Sequence, residues 1–318
     1  MKCCKTWSEL FQSINLAGNR KYNMSLRLII SLSIILSASL NLGAQSYPPK
    51  ISSDSVHTYK SVEGHNLKIW VFNSTISSKT NASAPAMLFF FGGGWHSGSP
   101  TQFVKYCELL SERGMVGIVA DYRVKSRHGV QAKTCVEDAL DALRYITENA
   151  TILGIDPMRI GVGGGSAGGH LAASLGTIHA SDPAAPKVMA LFNPATVLAP
   201  ITEDLSDAPL GEFEKINARY QANERHLRAR IGLEPVELSP FHHVASNSPP
   251  TIIFHGTNDK TVPYESAKLF ASQLRKNGVF VDLKTYEGAG HGFFNREPYF
   301  SQTSGELDAF LLNLGWLK

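Results

Sequence analysis

Residues able to do chemistry cluster at a few points of this chain, and the first is Gly164-Gly165-Ser166-Ala167-Gly168. A serine stands there between glycines, directly after the apolar run Arg159–Val162 and directly before the small-residue stretch Ala167–Thr177. A strand that turns straight into a helix brings backbones together and puts the turning residue into a strained conformation, so neighbours bearing a Cβ would clash. The serine hydroxyl is then exposed at the strand end, and the free N–H groups of the following helix point toward any negative charge developing beside it. Glycine-rich strand–helix turns also cradle phosphates, but no P-loop lysine follows this one. The chemistry these residues suit is nucleophilic attack by Ser166.

Serine is a weak nucleophile at neutral pH and needs a base that is itself oriented by a carboxylate. Downstream, the run Thr251–His255 leads into Gly256-Thr257-Asn258-Asp259, placing Asp259 just past a strand end. The next apolar run, Val279–Thr285, leads into Gly288-Ala289-Gly290-His291-Gly292, a glycine-bracketed histidine on a loop able to reach the serine. The order Ser166, Asp259, His291, each after its own strand, is the chain order of α/β-hydrolases. Charge on an attacked carbonyl also needs donors already in place, worth on the order of 3 kcal/mol each. The strand end Phe89-Phe90-Phe91-Gly92-Gly93-Gly94-Trp95 supplies them, and the Gly93 and Gly94 amides with that of Ala167 are assigned to this oxyanion hole.

The elements that must hold these residues alternate short apolar runs with amphipathic stretches. Val56–Val62 and Leu67–Phe72 predict a hairpin around Glu63-Gly64-His65-Asn66. Strands follow at Met87–Phe91, Val116–Ala120, Arg159–Val162, Val188–Phe192, Thr251–His255 and Val279–Thr285. Helices are expected near Gln102–Arg113, Gln131–Asn149, Ala167–Thr177, Tyr264–Lys276 and Gly305–Leu314. In the second of these Val136, Ala139, Leu140, Leu143 and Ile146 recur at helical spacing and form one stripe to lay on a sheet. The alternation predicts an α/β-hydrolase fold, with a mostly parallel central sheet and helices on both faces. A helical cap insertion, about residues 196–244, interrupts the rhythm at the strand ends where ligands bind. From Ile201 to Arg230 eleven of thirty residues are charged, which suits a polar substrate better than a lipid surface. The same charges would equally suit the solvated back of helices whose other face is buried.

At 318 residues, 43% hydrophobic and 18% charged, the composition is that of one globular domain over residues 55–318 rather than of a disordered chain. The formal charge of +3 comes from the N-terminal end, where Lys2, Lys5, Arg20, Lys21 and Arg27 face only Glu9. There Arg20, Lys21 and Arg27 lead into the apolar run Leu28–Leu36 and then into the small residues Leu42-Gly43-Ala44. This predicts a signal peptide over residues 1–44, cleaved after Ala44, with Met24 an alternative start and 45–54 a linker. The run is interrupted by serines and falls short of the roughly 20 apolar residues that span a bilayer. The remaining chain is close to neutral, which leaves no compositional case for nucleic acid and none for membrane association once the signal is removed. The mature chain keeps Cys107 and Cys135, expected as buried thiols on helices, with a single disulfide as the alternative. His170 is expected to pack behind the serine turn. Asp121 and Arg123 read as structural groups at a strand end, and Glu137-Asp138 as a helix pair. No histidine pair, His242-His243 included, has helical ligand spacing with a supporting carboxylate, so neither a metal nor another cofactor is assigned.

Taken together, Gly92-Gly93-Gly94-Trp95, Asp121-Tyr122-Arg123, Gly165-Ser166-Ala167-Gly168-Gly169-His170, His255–Pro263 and Gly290-His291-Gly292 resemble the esterase branch of α/β-hydrolases related to hormone-sensitive lipases and to feruloyl and acetyl xylan esterases. The resemblance covers most of the chain after Ala44. It implies that Ser166 attacks an ester, His291 shuttles the proton and Asp259 fixes His291. The family pattern carries histidine before the three glycines, where this chain has Phe91, which leaves open how the glycine loop is hydrogen-bonded into place. With export, the resemblance implies a secreted or periplasmic enzyme removing acetyl or feruloyl groups from small-molecule or oligosaccharide esters. Two alternatives share the fold. A prolyl-oligopeptidase-like peptidase would normally carry a propeller domain for which this chain lacks the length. A catalytically silent binding module would tend to have lost a member of the set Ser166, Asp259 and His291.

Overall fold

Strands of the central block send alternate side chains into two cores, one on each face of the sheet. In the computed structural model, which describes residues 47–76, 83–202 and 210–317, β3 (Ala84–Phe90) is buried along its whole length. Its Leu88 and Phe90 enter one apolar cluster while Met87 and Phe89 enter the other. The expected signal segment, residues 1–44, lies outside the described residues. The chain divides after Pro49, and the sheet and helices of the described residues belong to the unit Lys50–Lys318.

Eight strands form one sheet in the order β1-β2-β4-β3-β5-β6-β7-β8. β1 (Ser55–Val62) and β2 (His65–Phe72) make the expected antiparallel hairpin, and β2 joins β4 (Val116–Ala120) antiparallel. From β4 through β3 to β5 (Ile155–Gly165), β6 (Met189–Phe192), β7 (Thr251–Gly256) and β8 (Val281–Tyr286), every pairing is parallel. Helices α2 (Ala132–Glu148), α3 (Ala167–Gly176) and α5 (Tyr264–Lys276) cover one face, where the α2 stripe Val136, Ala139, Leu140, Leu143 and Ile146 is buried. Helices α1 (Val104–Glu112) and α6 (Tyr299–Asn313) cover the other, over an aromatic core of Phe89, Phe103, Tyr106, Phe192, Phe254 and Phe294. Between β6 and β7 the described chain forms α4 (Leu210–Ile231) and the short turns Pro235–Leu238 and Pro240–His243. No helix among the described residues is long and apolar enough to cross a membrane.

Two elements differ from the pattern reading for physical reasons. β5 begins at Ile155 rather than Arg159, because Asp156 accepts from the Met158 amide and pairs with Arg159 at 2.7 Å. That folds Asp156–Arg159 into an irregularity between the pairings Ala84–Ile155 and Ala86–Ile160. The strand also continues past Val162, its expected end, through Gly163 to Gly165. A Cβ at Gly161 would lie 2.4 Å from Met87 Sδ, and one at Gly163 2.6 Å from Phe89, so these glycines give neighbouring side chains room. Helix α6 starts at Tyr299, after Pro298, and simply passes through Gly305 at an open surface position.

Cys107 and Cys135 are buried and unpaired. They belong to the clusters on opposite faces of the sheet, so the alternative of a disulfide between them does not form. Burial pushes both thiols well above their ordinary pKa.

Candidate active site

Ser166 occupies the single residue between β5 and α3 with φ 54° and ψ −115°, a left-handed backbone unusual for a side-chain-bearing residue. Close approach is what permits the turn. A Cβ at Gly168 would lie 2.1 Å from the Phe90 carbonyl oxygen, and one at Gly164 2.5 Å from Gly168. The Ser166 amide donates to the Phe192 carbonyl at 2.9 Å, tying the turn to the end of β6.

The three side chains singled out in the sequence converge. Ser166 Oγ lies 2.9 Å from His291 Nε2, and His291 Nδ1 lies 2.7 Å from Asp259 Oδ2. Asp259 Oδ1 accepts from the Thr261 and Val262 amides at 2.8 and 2.9 Å, so both carboxylate oxygens are engaged. Burial alone would raise its pKa, but hydrogen bonds from His255, His291 and the Val262 amide outweigh burial and hold the carboxyl well below the ordinary range. A charged Asp259 facing Nδ1 makes that nitrogen the N–H donor and leaves Nε2 as the acceptor for the serine proton.

The glycine loop packs against this site. A Cβ at Gly92 would lie 3.3 Å from Ser166 Cβ, and Gly93, at φ 131°, forms a tight turn whose carbonyl accepts from His96 and Ser97 at 3.0 and 3.1 Å. Gly94 and Ala167 line the pocket above Ser166, whereas Gly93 is not part of its lining. The loop's hydrogen bonding is supplied without a histidine at position 91. Tyr122 stacks on Phe91 at 4.1 Å and its hydroxyl donates to the Phe91 carbonyl at 2.6 Å. Gln102 accepts the Gly92 amide at 2.6 Å.

His170 ties the loop to the cap. It is fully buried, its Nδ1 accepts from Trp95 Nε1 at 3.2 Å, and its Nε2 faces the Leu238 carbonyl at 2.7 Å. Nδ1 can accept only if the proton is on Nε2, which then donates to Leu238. Burial lowers its pKa from 6.5 to about 4. The unfolded chain therefore binds a proton that the folded one refuses once pH falls below 6.5, and stability should drop between 6.5 and about 4, by about 3 kcal/mol from this group. Urea unfolding at several pH values checks this. The midpoint should fall toward acid, and less steeply in His170→Asn; equal slopes in the two proteins would contradict it.

Several residues of the site had no sequence signal strong enough to single them out. Asn193, fully buried with φ 37° just past β6, accepts the Gly292 amide at 2.9 Å and so pins the loop carrying His291. Its place after Phe192 at a strand end is the only hint. Asp138, read as half of a helix pair, is instead fully buried. It accepts from Lys60, Arg123 Nη2 and Arg123 Nε at 2.7, 2.9 and 2.9 Å, which fixes the segment following β4. His242 and His243 are spent on structure, the first facing Ser239 Oγ and the Pro200 carbonyl, the second the Val236 carbonyl.

Above Ser166 lies a pocket of about 250 Å³, roofed by α4 through Ile216, Tyr220, Asn223, Leu227 and Arg230 at helical spacing. Of the charged residues between Ile201 and Arg230, Glu212 and Lys215 pair with Lys268 and Glu265, and Arg228 pairs with Glu224 and Glu234. Of those described, only Arg219 and Arg230 line the pocket. Glu203, Asp204 and Asp207 lie outside the described residues.

A mostly parallel eight-stranded sheet with a serine on the β5–α3 turn, a histidine and an aspartate after later strands, and a helix over the pocket defines a serine esterase of the α/β-hydrolase type. The chain belongs to the BD-FAE family, which it matches over residues 75–274. It is 30% identical over 263 residues to the ethyl acetate hydrolase of Pseudomonas putida, covering 81% of this chain and 80% of that one. It is 40% identical to a thermophilic esterase, Est2, of the planctomycete Thermogutta terrifontis in its butyrate-bound form. That likeness covers 86% of this chain and 98% of the other, with a TM-score of 0.75. The same esterase phosphonylated by sarin is 39% identical over 86% of this chain and 99% of that one, with a TM-score of 0.75.

Proposed function

We propose that this esterase hydrolyses short-chain acyl esters through an acyl-enzyme on Ser166, with His291 as general base and Asp259 as the group that orients it. The observation that carries the reading is the continuous relay of 2.9 and 2.7 Å from Ser166 to His291 to a carboxylate kept ionised. His291 takes the Ser166 proton on Nε2 as Oγ attacks the carbonyl carbon, and the oxyanion accepts hydrogen bonds from the Gly93, Gly94 and Ala167 amides. None of these three has another partner among the described residues. Collapse expels the alcohol, which takes the proton from His291. Water then repeats the sequence and releases the acid.

A pocket of about 250 Å³ is smaller than the roughly 300 to 1,000 Å³ usual for drug-sized ligands. That supports a small ester as the substrate. The names of the relatives, an ethyl acetate hydrolase and a butyrate-bound esterase, lean the same way. On p-nitrophenyl esters, kcat/KM for acetate and butyrate should exceed that for octanoate at least about tenfold. A preference for octanoate would contradict the proposal. The N-terminal signal pattern supports a secreted or periplasmic enzyme acting on acetylated carbohydrate. Release of acetate from acetylated xylan, compared with ferulate from feruloylated arabinoxylan, tests the carbohydrate assignment.

A further inference from the structure

Among the described residues, the pocket over Ser166 is lined by two arginines and by no carboxylate. Arg219 is exposed to solvent, with its Nη2 donating to the Thr261 carbonyl at 2.7 Å. Arg230, in the last turn of α4, is committed only in part. One N–H donates to the Gly94 carbonyl, and the guanidinium lies over the Trp95 ring, 5.4 Å from its centroid. Among the described residues no acidic side chain pairs with it. The acids nearby, Glu224 and Glu234, are taken by Arg228 instead. Its position against the glycine loop depends on Gly94, where a Cβ would lie 2.6 Å from Arg230 Nη2.

A guanidinium carries five N–H donors in a planar fork and keeps its charge throughout the working pH range. Partial burial is unfavourable to that charge and lowers the Arg230 pKa, and among the described residues no counter-ion offsets the cost. Arg230 borders the space above the nucleophile, so an anion arriving with the substrate would supply the missing charge.

We infer that Arg230 recognises a carboxylate on the substrate, so that the preferred esters carry an anionic group a few bonds from the ester carbonyl or its alcohol oxygen. This deepens the proposed esterase function and rests on it. The guanidinium fork matches a carboxylate in two parallel hydrogen bonds, and its place beside Gly94 and Ser166 puts the recognised group within a short acyl or alcohol chain of the reacting carbon.

Two pairs of esters, matched in shape and differing in charge, test the inference. Monoethyl succinate is compared with ethyl 4-methylpentanoate for a charge on the acyl side, and O-acetylglycolate with isobutyl acetate for a charge on the alcohol side. In the unmodified enzyme at least one charged ester should have the higher kcat/KM. Its advantage should shrink as salt rises from about 0.05 to 0.5 M, as expected for a partly exposed charge pair. In Arg230→Gln that advantage should fall about tenfold through KM, equivalent to about 1.4 kcal/mol, while Arg230→Lys retains part of it. A wild-type enzyme with no charge preference in either pair would overturn the inference. So would a preference that survives Arg230→Gln, or an equal loss of kcat on charged and neutral esters, which would make Arg230 a support of the glycine loop. Failure to hydrolyse any of the four esters, together with failure to react with a fluorophosphonate, would overturn the esterase function and this inference with it. Hydrolysis without charge preference overturns this inference alone.

Discussion

Ser166→Ala should abolish ester turnover, lowering kcat by on the order of 10⁶, while the protein stays folded. The size of the effect follows from what the substitution leaves behind. His291, still fixed by Asp259 at 2.7 Å, would have no nucleophile to activate, and the amides of Gly93, Gly94 and Ala167 could at most polarise a carbonyl that nothing attacks. The fold should tolerate the change because the turn is held by the backbone, through the Ser166 amide to Phe192 and the His170 amide to Ser166, both at 2.9 Å. Alanine keeps both bonds and leaves the left-handed backbone no more strained than serine does. Hydrolysis of p-nitrophenyl acetate, with circular dichroism as the control, checks it. A folded variant that keeps a substantial fraction of wild-type activity would show that another residue is the nucleophile.

The second large effect concerns stability. Asp138→Ala should cost about 3 to 5 kcal/mol, far more than most single substitutions. Its carboxylate is fully buried and satisfies Lys60, the Arg123 side chain and the Arg123 amide at 3.0 Å. Removing it leaves the buried Arg123 guanidinium, among the described residues, with only the exposed Glu63 carboxylate at 3.4 Å as an ion-pair partner. The surface pair Arg113–Asp308, at 2.5 Å with both side chains partly in solvent, provides the comparison: Asp308→Ala should barely move the unfolding midpoint, because solvent screens such a pair. Urea unfolding of the two variants separates the cases, and similar losses would contradict the account of Asp138 as a buried hub.

What can be read from the sequence and what cannot divides along physical lines. Ser166, Asp259 and His291 each follow a short apolar run and precede glycine or a helix, so a local pattern is enough to place them at strand ends, and the parallel sheet then brings them together. Boundaries shift where a residue's usual meaning is overridden by packing. Gly163 lies past the expected strand end at Val162 but continues β5, because Phe89 fills the space beside it. Gly305 reads as a helix start but lies inside α6. Residues whose role depends on distant partners leave no mark in the pattern. Asn193 meets Gly292 across 99 positions and Arg230 meets Gly94 across 136, separations for which no periodicity or motif carries a signal. Asp138 reads as half of a helix pair for the same reason, since Lys60 is 78 positions away.

The central claim, that Ser166 is an activated nucleophile, is tested most directly by covalent capture. After incubation with a fluorophosphonate and digestion with trypsin, the peptide Ile160–Lys187 should carry one phosphonyl group, and fragmentation should locate it on Ser166 rather than Ser174 or Ser181. An unlabelled enzyme, or an adduct at any other residue, would contradict the account.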